Sequence, residues 1–132
     1  MIKPHPEQMT FEQAGAFQMT AEQRAVWNVL REHRGRAAAI RIRTLVTVCS
    51  LPERKVREIV TSLILVFHLR IGSVYSGSHP GYFVIETGAE AEATYEVLRG
   101  HALSILRRAA VIRRLSFPDL VGQLMIGEEV SR

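Results

Sequence analysis

Pro52 is the residue that most narrows what this chain can fold into. It precedes a run in which Val56, Ile59, Val60, Leu63 and Phe67 recur at helical spacing. Proline is tolerated at the start of a helix, where its fixed φ is already helical and its missing N–H has no partner to lose. The spacing that follows keeps one face apolar. The other side carries Arg54, Lys55, Arg57 and Glu58, so the same helix must cover a core and present charge. Just upstream, Thr44 through Val48 is short and apolar and is broken by Ser50, which predicts a helix over about 43–49. A short helix, a tight turn and a longer helix that begins with exposed basic residues make a helix-turn-helix pattern.

The flanking segments extend this core. Thr20-Ala21-Glu22-Gln23 fits a capping box, in which the hydroxyl accepts an orphan N–H and Gln23 reaches back to the cap. Behind it Ala25, Val26, Val29 and Leu30 form a stripe widened by Trp27, and Gly35 supplies the stop, so a helix is expected over about 21–34. Ala39–Ile42 alternates long enough for a very short strand. Downstream, Arg70–Tyr75 and Tyr82–Ile85 are β-prone and are separated by the turn formers Ser76 to Gly81, which predicts a hairpin. Its tip would present Tyr75, Ser76, Ser78 and His79.

A long helix is expected from about Ala89 to Leu115. Tyr95, Leu98, Ala102, Ile105, Ala109 and Ile112 step by 3, 4, 3, 4 and 3 residues, the spacing of a helix–helix seam. The small residues Gly100, Ala102 and Ala109 would let another helix approach closely. That seam has two readings: packing back onto the first helix near Val26 and Trp27, or pairing with the same helix of a second chain. Pro118 is expected to end the helix, leaving 116–132 as an amphipathic or loose tail. Residues 1–19, with Pro4 and Pro6, read as a loosely ordered arm.

Charge is distributed unevenly along the chain. The formal net charge is +4, yet Arg24 to Arg70 holds ten Arg/Lys against three Glu, a local net of +7. Glu86–Glu96 holds four acids and no base, and Arg99–Arg114 holds five Arg and no acid. Such clustering points to a polyanionic partner. Cys49 is the single cysteine, which excludes a disulfide framework and reads as core packing. The five histidines show no paired spacing for a metal, and no carboxylate pair, Ser/His/Asp set or phosphate-cradling loop is present. The expectation is therefore a non-enzymatic protein without metal or cofactor. The longest apolar run, "LILVFHL", is far too short to span a membrane, and no signal-peptide core is seen, so a cytoplasmic, reducing location is expected.

The stretches "LPERKVREIVTSL" and "LRIGSVYSGSHPGYFVI" together resemble the winged helix-turn-helix family that includes the DNA-binding domain of the biotin-operon repressor. In that family a basic helix is followed by "I-G-S", a Gly-rich wing and a closing "G-Y" strand. With "HALSILRRAAVIRRL" added, the chain is similar to small phage and prophage winged-helix proteins whose wing precedes a long Arg-rich helix. The resemblance covers about 21–115; "RTLVTVCS" departs from it in lacking the usual acidic and alanine-rich second helix. It implies a mainly α fold with a small β-hairpin (α+β): an arm over 1–19, a winged helix-turn-helix domain over 20–87, a long C-terminal helix over 88–115 and a tail over 116–132.

The implied function is sequence-specific binding of double-stranded DNA, as a phage- or prophage-type transcriptional regulator. The alternative is a winged helix used for protein–protein contact in phage replication or assembly. A recognition helix places its first turns at base edges and its free N–H groups near phosphate. Arg54, Lys55, Arg57, Glu58 and Thr61 are the candidate readers, with Arg41 and Arg43 expected near the DNA backbone. Tyr75, Ser76 and His79 of the hairpin are expected in an adjacent groove. Glu53 and Glu58 argue against indiscriminate phosphate binding, since they can accept from cytosine or pair with arginines of their own helix.

Overall fold

A computed structural model describes residues 18–75 and 81–130. The described elements are helices α1 (Ala21–Leu30), α2 (Ile42–Cys49) and α3 (Glu53–Leu65), strands β1 (Ile71–Val74) and β2 (Gly81–Val84), and helices α4 (Gly88–Arg113) and α5 (Phe117–Val130), with a 3₁₀ turn at Arg36–Ala38. The protein is mainly helical with a small antiparallel sheet. The expected arm over 1–19 lies almost wholly outside the described residues, as do Ser76, Ser78 and His79 at the hairpin tip.

Local sequence starts most of these elements. The Thr20 hydroxyl accepts from the Gln23 N–H at 3.1 Å and the Gln23 amide oxygen accepts from the Thr20 N–H at 2.9 Å, completing the expected capping box. Pro52 is the extended residue that immediately precedes α3, one position earlier than the first helical turn. Between α2 and α3 the chain turns through Ser50 in the left-handed region (φ 54°, ψ 46°), and the Leu51 N–H reaches back to the Val46 carbonyl at 3.3 Å.

Three helices and the hairpin enclose one core. Val26 and Leu30 of α1, Leu45 of α2, Val56, Ile59, Val60 and Leu63 of α3, then Phe67 and Ile71, are buried together. In the hairpin Ile71 pairs with Val84 and Val74 with Gly81.

Two expectations near the first helix are corrected by long-range backbone pairing. Helix α1 ends at Leu30, four residues before the predicted 34. The His33 carbonyl accepts from the Val84 N–H and the Gly35 N–H donates to the Val84 carbonyl, both at 2.8 Å, which draws this segment onto the hairpin. The strand expected over 39–42 is a single antiparallel pairing: Ile40 and Tyr82 exchange both hydrogen bonds at 2.8 Å, and α2 has already begun at Ile42. Gly81 makes this approach possible. Its φ is 150°, and a Cβ there would stand 2.0 Å from the Ile40 carbonyl oxygen.

The chain divides into two compact units between Glu92 and Ala93, so the first turn of α4 belongs to the first and the rest to the second. That first turn is tied down by Glu90. Its carboxylate accepts from the Thr87 N–H at 3.3 Å while the Thr87 hydroxyl accepts from the Glu90 N–H at 3.1 Å, a second capping box. The same carboxylate accepts from the Arg36 N–H at 2.7 Å and the Glu86 N–H at 2.9 Å. Those donors hold the Glu90 carboxyl below its ordinary value, Arg36 most strongly.

In the second unit α4 stops two residues short of the predicted 115. Arg114 takes a left-handed conformation and the Leu115 N–H closes onto the Ala110 carbonyl at 2.9 Å. The segment expected as an amphipathic or loose tail is helical over Phe117–Val130. Ser116 caps α5, its hydroxyl accepting from the Asp119 N–H at 3.3 Å, and Pro118 sits in the first turn of that helix. Ala110 and Leu120 are buried, and the Arg107 guanidinium lies 5.5 Å from the centre of the Phe117 ring.

Candidate nucleic-acid interface

Three of the residues singled out by charge, Arg41, Arg43 and Arg57, converge on one side of the first unit. A concave groove of about 410 Å³ is lined by Arg41 and Arg43 at the start of α2, Arg57 of α3, and Ser73, Val74, Tyr75, Gly81 and Tyr82 of the hairpin. Each element brings its part for a local reason. Arg41 is the extended residue before α2, so it and Arg43 occupy the first turn, where free N–H groups add to their charge. Arg57 is exposed because its neighbour Val56 is fully buried and one residue advances the helix by about 100°. Tyr82 alternates with the buried Phe83 along β2, which turns its ring away from the side that Phe83 fills.

Arg54, Glu58 and Thr61 form the outermost stripe of α3, at i, i+4 and i+7. Lys55 and Arg57 leave the helix about 200° apart, so Lys55 lies on the flank away from the groove. Two ion pairs cross the exposed face. Arg54 Nε donates to Glu58 Oε1 at 3.2 Å and Arg57 Nη2 to Glu53 Oε1 at 3.3 Å. Exposed i,i+4 pairs of this kind are worth only about 0.3–0.5 kcal/mol each, so they orient the arginines without committing them. The Thr61 hydroxyl donates to the Arg57 carbonyl at 3.1 Å.

Ile42, Ser73, Val74, Gly81 and Tyr82 line the groove without having been selected from the sequence, and Tyr82 is the one among them with a titratable side chain. Burial raises its phenol above the ordinary value, and the nearby Arg57 charge acts in the opposite direction. The strand alternation around Phe83 was the available signal. Tyr75 is exposed at the end of β1, while Ser76 and His79 fall outside the described residues.

The remaining candidates have ordinary surroundings. Cys49 is half-buried against the core, and burial raises its thiol pKa. His33 Nδ1 donates to the Ala38 carbonyl at 2.8 Å, which places the proton on that nitrogen. Among the described residues no group of three His, Cys, Asp or Glu is placed to hold a metal. No helix among them is long and apolar enough to cross a membrane. The seam residues Tyr95, Leu98, Ala102, Ile105 and Ile112 are exposed along α4, and Ala109 is half-buried.

No protein family, curated protein or solved structure matches this chain.

Proposed function

We propose that the protein is a non-enzymatic, winged helix-turn-helix binder of double-stranded DNA, acting in the cytoplasm as a phage- or prophage-type transcriptional regulator. The observation that carries this reading is the convergence of Arg41, Arg43 and Arg57 on one groove between α2, α3 and the hairpin, beside the exposed Arg54–Glu58–Thr61 stripe. In this reading α3 enters the major groove and Arg54 reads base edges, where arginine bridges guanine O6 and N7. Arg41, Arg43 and Arg57 neutralise phosphates along the rim, and Tyr75 carries the hairpin to the neighbouring groove. Glu53 and Glu58 release their arginines at little cost when phosphate replaces them.

The test is fluorescence anisotropy of a mixed-sequence duplex at two salt concentrations. Binding should be micromolar or tighter and weaken steeply with salt through counterion release. Arg54→Ala/Arg57→Ala should abolish it. Arg41→Ala/Arg43→Ala should weaken all sequences alike and reduce the salt slope by about 2. Absence of binding at low salt would overturn the proposal. A second reading, a winged helix that docks protein, is favoured by the exposed Val48, Ile64 and Leu65 on α2 and α3. It predicts a contact nearly indifferent to salt.

A further inference from the structure

We infer that α4 is a dimerisation helix and that its occupant is the same helix of a second copy, running antiparallel. The starting observation is an apolar seam left open to solvent. Tyr95, Leu98 and Ile105 are each more than half exposed, and Ile112 is 81% exposed, although they share one face of a 26-residue helix. Scattered apolar residues on a surface need no explanation, whereas a continuous stripe at a/d spacing does.

Orientation follows from side-chain size. Reversing a second copy about a twofold axis between Ala102 and Ile105 sets Tyr95 against Ile112, Leu98 against Ala109 and Ala102 against Ile105. Every seam residue then meets another seam residue, and Leu98 and Ile105 each face an alanine that leaves room for them. A parallel, in-register pair would instead oppose Leu98 with Leu98 and stack Ala102 on Ala102 and Ala109 on Ala109. That arrangement crowds some layers and leaves voids at others, and both faults are destabilising.

Charge selects the same orientation. In a parallel pair the residues bordering the seam place Arg108 of one copy beside Arg113 of the other, a like-charge contact that occurs twice. In the antiparallel pair the bordering residues are Glu92 of one copy and Arg113 of the other, again twice. Glu92, Arg108 and Arg113 are all exposed and available for these roles. The acidic beginning of α4 and its arginine-rich end, uneven within one chain, become complementary between two.

Two experiments test the inference, and neither involves Arg54 or Arg57, so its outcome is separate from that of the DNA reading. Sedimentation equilibrium of the full chain at micromolar concentration should show a dimer. Arg113→Glu should weaken it about tenfold, the effect of two exposed pairs, and Glu92→Arg added to that variant should restore it. On a Cys49→Ser background, Leu98→Cys/Ala109→Cys should oxidise to a doubly linked dimer while each single cysteine variant stays uncrosslinked. A monomer at all concentrations would overturn the inference. So would efficient linkage by Leu98→Cys alone, which requires the parallel arrangement, or a dimer unchanged by Arg113→Glu.

Discussion

Helices α3 and α4 carry the same kind of apolar spacing and meet opposite fates. On α3, Val56, Ile59, Val60 and Leu63 are buried by α1, α2 and the hairpin, whereas on α4 Tyr95, Leu98, Ile105 and Ile112 remain exposed. Periodicity therefore states that a face needs cover, and only neighbouring elements decide whether the chain itself supplies it. In the first unit cover comes from several directions at once, because short connections bring three helices and a hairpin around one centre. In the second, α5 follows a turn of only a few residues; Arg107 of α4 lies over the Phe117 ring of α5, and among the hydrophobic residues described there only Ala110 and Leu120 are buried.

The comparison is most sharply broken by matched truncations. Leu63→Ala removes a fully buried side chain from the centre of the first unit and should cost about 4 kcal/mol in urea denaturation. Ile112→Ala, measured dilute enough to keep the chains apart, should change stability by less than about 0.5 kcal/mol. Equal losses at the two positions would mean that the α4 face is covered within the chain.

Gly81→Ala should cost about 3 kcal/mol, because its Cβ conflicts with the Ile40 carbonyl and the backbone there is strained for any residue with a side chain. Thermal melting followed by far-ultraviolet circular dichroism reads this directly. Gly100→Ala should do the reverse in the other unit. Nothing lies within 4 Å of its would-be Cβ, and a helix-interior glycine is replaced, so a gain of about 0.5–1 kcal/mol is expected in α4 helicity or melting.

A smaller effect separates the units by pH. The Glu90 carboxyl is held below its ordinary value of 4.5, chiefly by the Arg36 N–H, so its contribution is fully present above that value and is lost as pH falls through the lower folded-state value. Glu90→Gln should therefore lower the urea midpoint at neutral pH, with the gap to wild type closing as pH falls below 4.5. A gap independent of pH would place the effect in packing and not in the carboxylate.

Much of this architecture is legible residue by residue. The Thr20–Gln23 box starts α1, the apolar spacing after Pro52 outlines α3, and the turn formers between Tyr75 and Tyr82 announce a hairpin. Ser116 and Asp119 carry the same kind of signal as Thr20 and Gln23, and Pro118, a stop signal for α4, stands in the first turn of α5. At the candidate interface the basic residues were legible as a class, while their arrangement was not. Arg57 and Lys55 read alike in sequence, but the turn of the helix sends them to opposite flanks, and Tyr82 enters the groove only because the hairpin folds beside α3.

By itself, then, the sequence determined where helices begin, which faces are apolar and where charge collects, because capping, side-chain periodicity and turn chemistry act within a few residues. Tertiary structure alone decided that α1 ends at Leu30, that Ile40 pairs with Tyr82, that three arginines share a groove and that the α4 seam stays open. The first two depend on backbone groups more than forty residues apart, and the groove and the open seam depend on which elements pack together. The free energy of their meeting is set by the approach of whole elements, which no local window of the chain contains.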